Sequence, residues 1–373
     1  MKQETLMKNI NELLEIMPWY VKEYYQAKLV IPYSYKTLYE YLKEYRRFFE
    51  WLISDHEELG KTVRYADYDT IADVHIDELA HLPKSVIEGY FVYLRENTER
   101  RSISEVSIIR TKDALSSLFK YLTQETEDDE GEPYFYRNVW NKVKLKTHAE
   151  TTTYRNHKLQ EMLFVDGEDA RFLQWLDRQY AQQLPSKPRA YFEATKERNL
   201  AIIALLFGSG VRVSELVNMN LEDLNMDRHT VQVVRKGNFQ DRVNFADWID
   251  PYLTAYLKSQ TAMIGHQKPT SPLFVTQIGQ TVNRIRQNTI EAFFKRYTTA
   301  YGRPSTPHKA RHTLGTNIYT VTKDVQQVAD QLGQTTTSAT DLYINLSDKS
   351  GKAALREVSE TAAKAVDQHP QQP

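Results

Sequence analysis

Three short runs in the second half of this 373-residue chain carry side chains suited to phosphoryl chemistry. The run GSGVRVSEL places Arg212 just after a glycine-flanked turn and Glu215 one helical turn later. TPHKARHT sets His308 and Arg311 three residues apart, on one face if the run is helical. QLGQTTTSATDLY closes at Tyr343. Planar guanidinium forks match phosphate oxygens, an imidazole titrates near neutrality, and a phenol is both a nucleophile and a leaving group. Each piece alone has a plainer reading. Arg212 can pair with Glu215, a lone histidine such as His308 or its neighbour His312 is more often structural, and Tyr343 is one of 24 tyrosines. The order arginine, His-x-x-Arg, tyrosine is far more specific than any of its parts.

In that order the chain resembles the tyrosine recombinase (lambda-integrase-like) family, with the catalytic match running from about Arg198 to Leu346. The opening MPWYVKEYYQAKLVIPYSYKTLYEYLKEYRRFFEWL looks most like the XerS branch of the Xer chromosome-dimer resolvases. The resemblance implies that Arg212 and Arg311 clamp the two non-bridging oxygens of a scissile phosphate, where negative charge develops in the transition state. It implies that Lys236, on the turn of RKGNFQDRV, protonates the leaving 5′-oxygen. His308 would accept the tyrosine proton or hydrogen-bond the phosphate, and Lys309 between His308 and Arg311 would face away. Tyr343, nine residues beyond Gln334, would form a 3′-phosphotyrosyl bond that conserves the phosphodiester energy. No ATP, metal or other cofactor is then needed, in keeping with the lack of a Walker sequence. Gln334 is a departure, because relatives usually carry histidine or tryptophan after the Leu-Gly pair. Glutamine keeps a hydrogen-bond donor but loses a cationic form and the packing of a ring.

These groups need two domains to position them around duplex DNA. The expected fold is mainly α with a small antiparallel β-sheet in the C-terminal domain, a two-domain clamp. Residues 1–146 would be a helical core-DNA-binding (SAM-like) domain, 147–157 a linker and 158–373 the catalytic domain. After Pro32, Ser34 can cap a helix on which Leu38, Tyr41, Leu42, Tyr45, Phe48, Phe49 and Leu52 recur at helical spacing. Lys36, Lys43 and Arg47 form a basic stripe on it. Val86 to Leu94 reads as another helix, and Ser102 with Glu105 as the capping box of a third that runs through Leu122. Lys43, Arg46, Arg47, Arg110 and Lys112 are the candidate DNA contacts of this domain. The polar, aperiodic run from Lys142 to Lys158 reads as the linker.

Beyond it, Leu200 to Phe207 predicts a buried helix. Thr230–Val234 and Arg242–Phe245 predict a hairpin about Lys236-Gly237, and helical patterns follow from Tyr252, around Ile290 to Tyr297 and from Thr313 to Leu332. Ser347 and Asp348 can cap a last helix bearing Ala353, Ala354, Leu355 and Val358, which in relatives docks into a neighbouring protomer.

Net charge is −1, but the charges are segregated. Six carboxylates fall between Glu125 and Glu132, whereas Gly208 to Thr316 holds 14 Lys and Arg against 8 Asp and Glu. The absence of cysteine excludes disulfides, thiolate-bound zinc and a thiol nucleophile. The alternating charges of Lys2, Glu4, Lys8 and Glu12 do not fit a signal peptide or a membrane insertion, so a cytoplasmic location is expected. The expected partners are double-stranded DNA with a specific dif-like site, three further copies in a homotetramer on two such sites, and the FtsK translocase. The competing functions are a mobile-element or phage integrase and a catalytically silent DNA-binding relative.

Overall fold

The computed structural model describes residues 3–31, 33–58, 61–96, 103–145, 152–235, 239–279, 281–334, and the single positions Tyr343 and Ser359. The chain divides into two compact units, Met1–Ala149 and Glu150–Pro373.

The first unit is built from α1 (Gln3–Glu15), α2 (Trp19–Val30), α3 (Tyr35–Ile53), a short hairpin of β1 (His56–Glu58) and β2 (Lys61–Val63), α4 (Ile76–His81), α5 (Lys84–Glu96) and α6 (Glu105–Gln124). Ser34 caps α3 as expected, its hydroxyl accepting from the Thr37 amide at 3.1 Å. Of the periodic face of α3, Leu38, Leu42, Tyr45, Phe48, Phe49 and Leu52 are buried and Tyr41 is partly buried. The core is aromatic, with the Phe48 ring 5.0 Å from Tyr90 and 5.5 Å from Trp140 in edge-to-face geometry. Helix α6 begins later than the expected capping box, because Ser104 supplies the cap to the Ser107 amide. Ser102 lies outside the described residues.

The supposed linker also differs from expectation. Val143 is buried in the first unit's core, and Thr152–Met162 forms a helix, α7. Little apolar periodicity marks α7. It ends by delivering Leu159 and Leu163 to a small apolar cluster with Val328, Leu332 and Tyr343.

The rest of the second unit comprises α8 (Glu168–Arg178), α9 (Ser186–Glu193), α10 (Lys196–Ser209), α11 (Val213–Asn218), β3 (Leu224–Asn225), β4 (Thr230–Val234), β5 (Gln240–Asn244), α12 (Asp250–Ile264), β6 (Val275–Ile278), β7 (Thr281–Arg284), α13 (Gln287–Ala300), α14 (Pro307–Thr322) and α15 (Val325–Leu332). Helix α10 is the axis of this unit. From Asn199 to Ser209 every residue is buried, as its unbroken apolar run requires, and α8, α12, α13 and α14 pack around it. Strands β3, β4 and β5 form an antiparallel sheet with Val231 opposite Val243. The hairpin β6–β7 was not anticipated. The run from Thr313 to Leu332 is two helices rather than one, because Lys323 adopts a left-handed conformation and Asp324 caps the next helix. Among the described residues no helix is long and apolar enough to cross a membrane.

Candidate active site

The site grows from the C-terminal end of α10. The chain turns at Gly210 and re-enters a helix at α11, with Arg212 at the N-cap position and Glu215 one turn on. The Glu215 carboxylate accepts from the Arg212 amide at 2.8 Å and from Arg212 Nη1 at 2.7 Å. It also accepts from Arg235 Nη1 at 3.4 Å. The paired reading of Arg212 is therefore realised, but the pair does not neutralise the site, because one buried carboxylate faces more than one guanidinium.

Arg311, on α14, is only 2% exposed. Its Nη1 donates to the Gly210 carbonyl at 2.6 Å and its Nη2 to the Leu332 carbonyl. Burial, followed by the nearby charge of Arg212, pushes its pKa down to about 10, still charged at neutral pH. Arg235 ends β4. Its Nε donates to Asp241 at 2.9 Å and its Nη1 to the same Leu332 carbonyl at 3.2 Å, while its buried Nη2 has no partner. The guanidinium lies flat against Gly333. A Cβ there would come within 2.5 Å of Arg235 Cζ, so only glycine lets the arginine reach Leu332. Both guanidiniums thus meet the electronegative C-terminal end of α15. Three arginines against Glu215 and Asp241 leave an excess of positive charge.

A cleft of about 390 Å³ opens beside this cluster. Arg212, His308 and Arg311 all line it, together with Gln287, Glu291 and Lys295 of α13. The sequence-predicted arginines and histidine are therefore brought to one cavity. His308 has its pKa lowered by partial enclosure and then by Lys309, Arg311 and Arg212. Lys309, expected to face away, is half-buried, and its charge bears on both His308 and His312.

Tyr343 is 1% exposed and does not line the cleft. It lies against the same helix, with its hydroxyl 3.3 Å from His312 Nδ1 and its ring tilted against the imidazole at 5.8 Å. Its ring also covers Gly315, where a Cβ would come within 2.6 Å of Tyr343 Cε1. Burial pushes the phenol pKa up, while a hydrogen bond with Gln334 and the charge of Arg311 pull it back. Among the described residues Gln334 Oε1 is buried without a partner.

Lys236 and the segment bearing Ser347, Asp348, Ala353, Ala354, Leu355 and Val358 lie outside the described residues. In the first unit Lys43 pairs with Glu40 at 2.7 Å and Arg46 with Glu50 at 3.5 Å, both on the surface of α3. Arg110 is half-exposed and reaches Glu44 at 4.0 Å. Lys112 is partly exposed. Arg47 is turned inward, bonded to buried Glu44 and donating to Thr111 at 2.7 Å and Tyr90 at 3.3 Å.

Four contributors were not among the predicted site residues: Glu215, Arg235, His312 and Gly315. For Arg235 and His312 the available signal was adjacency to Lys236 and Arg311. For Gly315 it was a glycine in the interior of a helical run.

The chain matches the phage integrase family over residues 174–350. It is 44% identical to the tyrosine recombinase XerS of Streptococcus pneumoniae, over 95% of this chain and 99% of that protein. With the XerS of Streptococcus mutans the identity is 43% over the same shares. The chain belongs to the tyrosine recombinase family. Solved structures of low sequence identity share the fold of this tyrosine recombinase. One is the site-specific recombinase XerH bound to a palindromic difH substrate in a post-cleavage complex, with a TM-score of 0.59, 16% identity, and coverage of 86% of this chain and 78% of that one. Another is the Tn1549 transposon integrase in complex with transposon right end DNA, with a TM-score of 0.52, 16% identity, and coverage of 86% and 92%. The mainly helical fold with small antiparallel sheets, the XerS-like resemblance and the enzyme class expected from the sequence are those found.

Proposed function

We propose that this tyrosine recombinase cuts and rejoins duplex DNA at a dif-like chromosomal site and so resolves chromosome dimers. The observation that carries the reading is the cleft that gathers Arg212, His308 and Arg311 with Tyr343 seated on the adjoining turn of α14. A phosphodiester entering the cleft meets cations held in place before it arrives, the arrangement that stabilises a pentacoordinate phosphate. Tyr343 Oη attacks phosphorus as the bond to the 5′-oxygen breaks. The phenolic proton passes from Tyr343 to an imidazole of α14, and the 5′-oxygen takes a proton from Lys236. Tyr343 is seated beside the cleft, against the helix that carries His308 and Arg311, with its hydroxyl on His312. The substrate assignment rests on the near-full-length likeness to XerS proteins.

In this reading the first unit is the core-DNA-binding domain, with Lys43, Arg46, Arg110 and Lys112 toward DNA and Arg47 bracing the helices that carry them. Four copies act on two sites through a Holliday junction, in the cytoplasm, with the FtsK translocase as activating partner. Gln334 speaks for an active enzyme rather than a silent relative, because its amide keeps a hydrogen-bond donor for a phosphate oxygen.

The test begins by mapping covalent protein–DNA adducts over a genomic library, followed by a nicked suicide duplex carrying the mapped site. Wild type accumulates the adduct, and Tyr343→Phe abolishes it while still binding DNA. A wild-type protein that binds the site without forming an adduct refutes the recombinase reading. Adducts mapping to the ends of a mobile element would instead make the protein an integrase.

A further inference from the structure

We propose that His312, one residue beyond the expected His-x-x-Arg pair, receives the phenolic proton when Tyr343 attacks. The inference rests on the reading of Tyr343 as nucleophile and deepens it. His312 Nδ1 lies 3.3 Å from the Tyr343 hydroxyl. It accepts the phenolic proton there in the tautomer that carries the His312 proton on Nε2. Beyond it the His308 ring stands edge-on to His312, 4.6 Å between centroids. A line of groups therefore runs from the buried phenol to the cleft wall. His308 itself is not the recorded hydrogen-bond partner of Tyr343.

The groups that bear on His312 are His308, Lys309 and Arg311 of its own helix and Tyr343 packed opposite. Burial and those positive neighbours push its pKa down to about 3, so its Nδ1 lone pair is free at any physiological pH. So weak a base leaves the resting phenol protonated. Once the Oη–phosphorus bond begins to form, the oxygen loses its hold on the proton, and the incoming phosphate offsets the charges of Lys309 and Arg311. The transfer becomes downhill only at that point, which spares the enzyme a free buried phenolate. The step balances. The O–P bond forms as the P–O5′ bond breaks, the Tyr343 proton passes to His312, and the 5′-oxygen is protonated from the opposite side. Resealing runs the same path backwards.

The experiment measures single-turnover adduct formation by the full-length protein on the nicked duplex, from pH 6 to 9. His312→Asn places an acceptor oxygen where Nδ1 was but cannot take up a proton, and His312→Leu removes both functions. Both variants are expected to react at least about 100-fold more slowly, the usual scale of general base catalysis. Their rates should climb about tenfold per pH unit, because only the pre-ionised phenolate then attacks, whereas wild type stays nearly flat. Retained DNA binding and melting temperature in His312→Asn exclude misfolding. A substrate with a 5′-bridging sulfur leaves without protonation, so it should rescue Lys236→Ala and fail to rescue His312→Asn. A His312→Asn enzyme with the wild-type rate and pH profile, or one rescued by the sulfur substrate, overturns the proposal. Wild type without an adduct overturns the reading of Tyr343 as nucleophile and this proposal with it.

Discussion

Gly315→Ala tests whether Tyr343 is seated where the geometry puts it. Gly315 lies inside α14, where alanine is intrinsically preferred over glycine by about 1 kcal/mol. In isolation the change would stabilise the helix. The Tyr343 ring reverses that sign. A Cβ at 315 would lie 2.6 Å from Cε1, 2.7 Å from Cζ and 3.1 Å from Leu332 Cδ1, whereas unstrained carbons sit about 3.5–4.0 Å apart. The ring must move by about 1 Å in a cluster walled by Leu163, Val328 and Leu332. Overpacking of this kind costs about 1–3 kcal/mol, so the net change is a loss of up to about 2 kcal/mol. With Tyr343→Ala the obstacle is gone, and Gly315→Ala recovers most of its helix-propensity gain. The two sites should therefore couple by about 1–3 kcal/mol in a double-mutant cycle. Urea unfolding of the full-length chain, with α14 amide exchange as the local readout, measures it. A 1 Å displacement also breaks the 3.3 Å contact with His312, so adduct formation should fall by about 100-fold. If Gly315→Ala raises stability equally with and without the Tyr343 ring, the seat described for the nucleophile is wrong.

Four further outcomes are expected. Glu215→Ala removes the carboxylate, 4% exposed, that Arg212 and Arg235 share; Arg235 keeps Asp241, so the loss should be about 3 kcal/mol, read as a fall in melting temperature. His312 has its folded pKa depressed to about 3, so the unfolded chain binds the extra proton. Its stabilising effect is complete above the unfolded value of about 6.5 and fades as pH falls, by about 1.4 kcal/mol per unit. His312→Asn should flatten that acid limb of a urea-midpoint profile between pH 4 and 6. In the first unit, Arg47→Ala leaves buried Glu44 without its closest cation and should lower the melting temperature. Lys112→Ala should leave stability alone while weakening DNA binding and reducing the salt slope by about 0.9.

What the sequence disclosed and what it hid follow from the range of the interactions. The α3 stripe, the continuous apolar run of α10 and the β4–β5 hairpin were legible because their signals are local and repeat within a turn or two. Helix α7 was not, since its segment has no steady apolar period and owes its docking to Leu159 and Leu163 meeting residues far along the chain. The β6–β7 pair is four residues a side, too short for alternation to register. The break at Lys323 was written only in Asp324, a cap inside an otherwise continuous helical pattern. The site divides the same way. Arg212, His308, Arg311 and Tyr343 could be singled out as candidates because their order is specific where the single residues are not. His312 was passed over as structural because nothing in the sequence says which ring nitrogen the tyrosine will meet.

The manner in which Arg311 is held has its own consequence for catalysis. A buried guanidinium needs acceptors, and carboxylates would hold it most tightly, but each would cancel the charge that a phosphate has to feel. Here its recorded acceptors are the carbonyls of Gly210 and Leu332, at the ends of α10 and α15. Carbonyl dipoles fix the position and leave the full unit of charge in place. The two helix ends, each carrying a fraction of negative charge, make the burial tolerable without neutralising it. Glu215 does for Arg212 and Arg235 what carbonyls do for Arg311, but one acid serves both, and Asp241, 40% exposed, is screened by solvent. The cluster is short of negative charge before substrate arrives. In the proposed reaction a phosphodiester supplies it, and the pentacoordinate state, with its greater charge on the same oxygens, supplies more.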